Sequence, residues 1–462
     1  MHVVPGCSHT VEDSPRRYGC VPPFNGLQSY QRRYDTVTTL ARLATAMGFL
    51  FRDESFSFEA LRTAGAAPYD GADLGEVLAT TRLIREGDLD GWLRCWRATA
   101  ERVHDLARTS LAAAHRVSAR QAFLRASNYY RTAEFFRRGS PIGDRLLLEL
   151  SRRSREAFGD AIDLMDRPVE RVAIPYDGIE LPGYLFRVDD APTPRPLVIY
   201  TNGYDSTAEE SWFAIAAAAL QRGYHVLAYD GPGQGAVIRE MGLPFRPDWE
   251  NVLGAVIDFA VKQPGVSPEA IVQFGYSMGS YLVARSAVFD HRSAALILDD
   301  GILDMHQAYR NAIPARVMKM ILAGRSALPN RLMALKARAQ TQIRWGLDNG
   351  VWTMGGPTYA DFIRRTTAYT LEGLADRITA PTLIMDAEDD QFLAGQPEML
   401  QRAMTAPTTL ARFTTAEGSG EHCHVGSLLR AHQVIFDWLD TTLAARQRAN
   451  AAPPIAPTQE EK

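Results

Sequence analysis

The chain has 462 residues, with 50 Lys and Arg against 54 Asp and Glu for a formal charge of −4. That length exceeds what one hydrophobic core usually serves, so two domains, or a core with a large insertion, are expected. Hydrophobic residues at 46% and charged residues at 23% exclude wholesale disorder and fibrous architectures.

No long run of one charge sign is present, which points away from nucleic acid and from an anionic membrane and toward a small-molecule partner. The opening "MHVVPGCSHTVEDSPRRYGC" lacks the basic-then-apolar order of a signal peptide, and "WFAIAAAAL" and "MGFLF" are too short to span a bilayer. A cytoplasmic protein is expected. The cysteines, Cys7, Cys20, Cys95 and Cys423, show no CxxC spacing, so neither a disulfide framework nor a structural zinc site is expected. His422, Cys423 and His424 lie in "EHCHVG", but adjacent side chains rarely converge on one ion. No metal and no cofactor are expected.

Residues 1–28, rich in Pro, Gly and Ser, read as an irregular arm. Over 29–165 apolar residues recur at three and four, as in "YDTVTTLARLATAMGFLF", "GWLRCWRATAERVHDLARTSLAAAHRV" and "ARQAFLRASNYYRTAEFFRR". This spacing predicts an all-helical N-terminal (cap) domain.

Over 166–446 the pattern becomes strand alternating with helix. "VERVAIPYDG" and "IELPGYLFRV" predict an antiparallel pair; "PLVIYTNG", "YHVLAYDGPG", "IVQFGYS", "AALILDDG", "PTLIMDAEDD" and "TTLARFTTAEG" predict six more strands. Continuous apolar strands separated by helices imply an α/β core with a mostly parallel sheet covered on both faces. One interval, about 303–377, is mainly helical and aromatic; inserted at the carboxyl edge of such a sheet it forms a lid over the ligand crevice. Residues 447–462 read as a disordered tail.

Chemistry concentrates at "GYSMG". A strand, "IVQF", precedes Ser277 and a helix, "MGSYLVARSAVF", follows it, so Gly275 and Gly279 permit a sharp strand-to-helix turn with Ser277 at its tip. A serine hydroxyl needs a base, and that base an orienting carboxylate. In this arrangement the acid follows a late strand and the histidine follows the last one.

"PTLIMDAEDDQF" offers Asp389 and Asp390, and Asp390, deeper in the loop, is the favoured acid. Asp299 and Asp300, ending "AALILDD", are rivals. His422 follows a Gly-rich turn and is favoured over His424, while His104, His291 and His306 are read as surface or core residues. "TNGYDST" occupies the loop that supplies a second oxyanion donor: Gly203 permits the turn, and the amides of Tyr204 and Met278 would hold the oxyanion. Gly203 and Tyr276 are thereby placed at the pocket. "YDGPGQG" lacks the Lys and spacing of a phosphate-binding loop and reads as a structural turn.

Taken in order, "RASNYYRTAEFF", "TNGYDSTAEESW", "AYDGPGQG", "GYSMGS", "PTLIMDAEDDQFLAGQP" and "EGSGEHC" resemble the serine α/β-hydrolases of the 2,6-dihydroxypseudooxynicotine hydrolase group, together with fungal polyketide-shortening hydrolases of pigment synthesis. The resemblance implies the α/β-hydrolase fold and hydrolysis of a carbon–carbon bond flanked by carbonyls. It places the nucleophile on Ser277, the base on His422 and the acid on Asp390. It also turns Tyr129, Tyr130 and Glu134 toward the pocket and suggests a homodimer. One departure is visible: the usual elbow ends in two glycines, whereas here Gly279 precedes Ser280. Ester or thioester hydrolysis, or acyl transfer and cyclisation, would use the same residues, and a catalytically silent binding protein is the alternative of another class.

Overall fold

The structure, a computed structural model, describes residues 49–451. The irregular arm, most of the first helical stretch, Cys7 and Cys20, and the tail beyond 451 lie outside the described residues.

Eight strands form one sheet in the order β1-β2-β4-β3-β5-β6-β7-β8. They are β1 (Val169–Tyr176), β2 (Ile179–Phe186), β3 (Arg195–Thr201), β4 (His225–Tyr229), β5 (Val266–Tyr276), β6 (Ala295–Asp299), β7 (Thr382–Ala387) and β8 (Thr408–Phe413). The first two strands pair antiparallel, β2 pairs antiparallel with β4, and every later pairing is parallel. The interior strands β4 and β6, on either side of the central pair β3 and β5, are buried along their whole length, as expected of a sheet covered on both faces.

Among the described residues five α-helices precede the sheet: α1 (Glu54–Gly65), α2 (Leu74–Thr81), α3 (Leu89–Ala112), α4 (Arg116–Glu134) and α5 (Arg145–Ile162). Aspartates cap four of them: Asp53, Asp73, Asp88 and Asp144 accept first-turn backbone N–H groups at α1, α2, α3 and α5. The aromatic residues of this layer are mostly core, with Phe51, Phe56, Trp92, Trp96 and Phe136 packed ring against ring. The same hydrophobic cluster continues through Phe158 and Phe186 to Val198 and Phe274 of the sheet. The helical layer and the sheet therefore share one core.

Among the core helices, α6 (Ala217–Gln221) and α7 (Glu250–Ala260) precede β5, and α8 (Met278–Ala287) follows it. Between β6 and β7 the chain forms α9 (Met305–Ala312), α10 (Ala315–Leu322), α11 (Ala327–Ala339), α12 (Thr341–Thr353) and α13 (Tyr359–Arg365). Two more, α14 (Gln396–Ala403) and α15 (Leu428–Ala451), flank β8. No helix among the described residues is long and apolar enough to cross a membrane.

Candidate active site

Ser277 stands between β5 and α8 with φ 56° and ψ −124°, a backbone conformation rarely adopted by a residue with a side chain. Close packing explains the glycines beside it. A Cβ on Gly275 would lie 2.3 Å from the Gly279 carbonyl oxygen, and one on Gly279 would lie 2.2 Å from that of Thr201. The turn is thus pressed against the end of β3, and the Ser277 amide donates to the Asp299 carbonyl at the end of β6.

Ser277 Oγ lies 2.9 Å from Nε2 of His422, which sits on the loop between β8 and α15. The other ring nitrogen, Nδ1, hydrogen-bonds Asp390 Oδ2 at 2.9 Å and lies equally 2.9 Å from Asp300 Oδ2 in ion-pair contact. Asp390 is held by the Phe392 and Leu393 amides, both donating to its Oδ1. Asp300 is fully buried in the left-handed region, φ 59°; its carboxylate accepts the Cys423 amide at 2.6 Å, and its carbonyl accepts the Ser280 hydroxyl at 2.9 Å. Ser280, the departure from the usual elbow, therefore ties α8 to the backbone of this second acid.

Burial pushes the His422 pKa down, but Asp390, Cys423 and Asp300 outweigh that and hold it well above the usual imidazole value. The remaining candidates point elsewhere. Asp389 accepts the Thr415 hydroxyl. His424 stacks on Phe413, lies 3.2 Å from Asp299, and shares a hydrogen bond with the Ser419 carbonyl. His104 is buried beside Tyr130, His306 against Thr366, and His291 is exposed near Thr379. Asp300, His422 and Cys423, and likewise Asp299, Asp300 and His424, lie close enough to meet one ion. In both groups the histidine already faces a carboxylate, and the groups share Asp300.

The loop after β3 lies against the elbow. A Cβ on Gly203 would come 2.8 Å from the Tyr276 carbonyl and 3.5 Å from the Met278 amide nitrogen, so Gly203 backs the turn instead of lining the cavity. The amides of Tyr204 and Met278 donate to no backbone group among the described residues. Three elements hold this loop. Asn202 donates to Asp230 at 2.8 Å within the structural turn after β4. On α12, Asn349 donates to the Tyr204 carbonyl at 3.1 Å. On α1, Arg62 pairs with Asp205 at 2.6 Å and with Glu210 at 2.7 Å.

A cavity of about 300 Å³ opens over Ser277, lined mainly by apolar and aromatic side chains from α1 (Phe58), the segment after α4 (Phe135, Phe136), the β3 loop (Tyr204), the lid (Met305, Tyr309, Met333, Trp345) and the β7 loop (Phe392). Tyr276, Met278 and Cys423 complete its floor.

Tyr129, Tyr130 and Glu134 are not on its wall, which corrects the expectation for α4. Tyr129 is fully buried with its hydroxyl on Glu76, Tyr130 is fully buried beside Arg153 and His104, and Glu134 is ion-paired to Arg138 and Arg239. The C-terminal half of α4 is buried on every face, so Tyr129 and Tyr130 pack inside the helical layer, Glu134 is taken up by Arg138 and by Arg239 of the segment after β4, and only Phe135 and Phe136 beyond the end of α4 reach the cavity. Sequence reasoning missed Phe58 and Arg62. The available signal was Asp53 followed by "ESFSFEALR", an N-cap before an apolar-periodic run.

Sheet order, elbow and late histidine define a class: the profile of the alpha/beta hydrolase family matches residues 198–437, and the chain belongs to that family and is a hydrolase. Among curated relatives it is 36% identical over 421 residues to 20-hydroxy-prefusarin hydrolase FUS2 of Gibberella moniliformis (strain M3125 / FGSC 7600), covering 86% of this chain and 99% of the relative. It is 34% identical to hydrolase LUC6 of Fusarium sp, covering 86% and 99%. Among solved structures, 2,6-dihydroxy-pseudo-oxynicotine hydrolase shares the fold with a TM-score of 0.66 and 23% identity, over 83% of this chain and 96% of that one.

Proposed function

We propose that this hydrolase uses Ser277 as nucleophile, His422 as base and Asp390 as orienting acid to cleave a carbon–carbon bond in a β-dicarbonyl, polyketide-like or aromatic ketone substrate. The observation that carries the reading is the 2.9 Å contact of Ser277 Oγ with His422 Nε2, backed by carboxylates on Nδ1, at the floor of a mostly apolar cavity. The relatives' names support the substrate class: FUS2 is named for a 20-hydroxy-prefusarin, and the structurally similar enzyme for a 2,6-dihydroxy-pseudo-oxynicotine.

His422 takes the Ser277 proton as Oγ attacks a substrate carbonyl. The Tyr204 and Met278 amides then hold the tetrahedral oxyanion. Collapse breaks the bond to carbon, and the leaving electron pair is delocalised onto the neighbouring carbonyl as an enolate. Protonated His422 returns its proton to that carbon, then activates the water that releases the acyl group from Ser277. The cavity requires no cofactor for this sequence.

The test is intact-mass analysis after treatment with a fluorophosphonate probe, followed by turnover of β-diketones and matched esters. Labelling of the wild type and not of Ser277→Ala, with β-diketone cleavage exceeding ester hydrolysis, is expected. Ester turnover alone would keep the site and move the reaction to an esterase or thioesterase. Absence of labelling would return Ser277 to an ordinary turn residue.

A further inference from the structure

The lid carries a charge bias that the whole-chain balance conceals. Residues 305–347 contain eight Lys and Arg and no Asp or Glu, in a chain whose formal charge is −4. Elsewhere arginines pair routinely, as Arg97 does with Glu101, Arg152 with Glu156 and Arg285 with Glu250. On α10 and α11 and the turn between them, Arg316, Lys319, Arg325, Arg331 and Arg338 are exposed and form no ion pair with any described residue.

The same surface is apolar at its centre. On α11, Pro329, Met333 and Ala337 are buried, while the opposite face presents Leu328, Leu332 and Leu335 at 50%, 43% and 66% exposure, spaced i, i+4, i+7. Arg331 and Arg338 interleave on that outward face, and Leu322, 49% exposed, extends it from the end of α10. Three leucines on the solvent side of a 13-residue helix bury nothing within the described chain.

We propose that this outer lid face docks on an anionic lipid surface. Unpaired cations select an anionic partner, and leucines flanked by arginines are the composition of a helix lying in a membrane interface. Protein-binding hot spots favour Trp and Tyr and disfavour Leu, and the exposed large apolar residues of this segment are all leucines. A second copy would set like charges against one another across a two-fold axis. The inner side of α11 supplies Met333 to the cavity, so docking brings the cavity wall against the apolar phase, where a poorly soluble substrate concentrates.

The experiment is co-sedimentation of the full chain with phosphatidylcholine vesicles, with and without phosphatidylserine, at low and raised salt. Partition onto the phosphatidylserine vesicles alone, weakened by salt, is expected. Arg331→Gln with Arg338→Gln should lower the partition coefficient roughly 25-fold, about fivefold for each cation removed. Leu332→Asn with Leu335→Asn should weaken binding even at low salt. No partition, equal partition onto both vesicle types, or partition indifferent to all four substitutions would overturn the proposal. A concentration-dependent dimer abolished by the leucine substitutions, without vesicle binding, would replace it with a protein interface.

Discussion

Asp300 and Asp390 reach one imidazole nitrogen from the ends of different strands, Asp390 along the hydrogen-bond direction and Asp300 beside it. Either carboxylate alone leaves an anion against Nδ1. Asp390→Asn is therefore expected to lower kcat/KM by about 10²-fold and Asp300→Asn by about 10-fold, whereas the double variant should approach the roughly 10⁴-fold loss seen when a triad loses its only acid. Asn suits the test at position 300 because it tolerates left-handed backbone and retains an acceptor for the Cys423 amide. The pH profile gives a second readout. In the proposed mechanism His422 acts as a base only when neutral, and its pKa is raised, so kcat/KM should fall as pH drops through a value above the usual imidazole pKa of about 6.5. Removing the Asp300 charge should shift that acid limb to lower pH. Ser277→Ala, lacking the proposed nucleophile, should lose about 10⁴ to 10⁶ in turnover.

At the scale of elements, α1 is the piece that joins the helical layer to the loop after β3. Its Glu59 is fully buried beside Arg131 and Arg62, and its Oε2, 3.6 Å from Arg62, accepts no hydrogen bond. Burial pushes its carboxyl up to about 7 against the opposing pull of the two arginines. The folded state thus keeps a proton that the unfolded chain releases near pH 4.5, so stability is greatest below that pH and falls as pH rises toward 7. The decline attributable to Glu59 is on the order of 3 kcal/mol. Glu59→Gln should flatten the dependence, as read by urea denaturation between pH 5 and 8, taken as roughly the window those two pKa values bracket. Arg62, one turn on, then remains free to hold Asp205 and Glu210.

At the scale of the molecule, the hydrophobic cluster running from Trp92 and Trp96 through Phe158 to the sheet leaves the helical layer no core of its own. The described chain should unfold in one transition, with far-UV ellipticity and fluorophosphonate labelling of Ser277 lost at the same temperature. Trp96→Ala should lower that shared transition by about 3–5 kcal/mol instead of splitting it. All eight strands were legible in the sequence, because apolar runs bounded by turn residues are a local signal. The contact between Ser277, His422 and Asp390 was anticipated from the sequence, since an elbow and two loop positions after late strands have a fixed order along the chain. Tyr129, Tyr130 and Glu134 were misplaced because the family resemblance aligns residues along the chain and does not fix which way a fully packed helix turns its side chains. In α4 every face of the C-terminal half is covered. Asp300 was visible only as a rival to Asp390, and Arg62 only as part of a capped helix, since the partners that give each its role, His422 for one and Asp205 with Glu210 for the other, lie far away in sequence. The sequence by itself determined the class of fold and the order of the reactive residues, through periodicity and turn chemistry that act over a few residues. Only the tertiary structure decided that two acids meet one histidine, that α1 and α12 hold the loop after β3, and that the lid faces outward with unpaired cations, because distance in space and burial do not follow from distance along the chain.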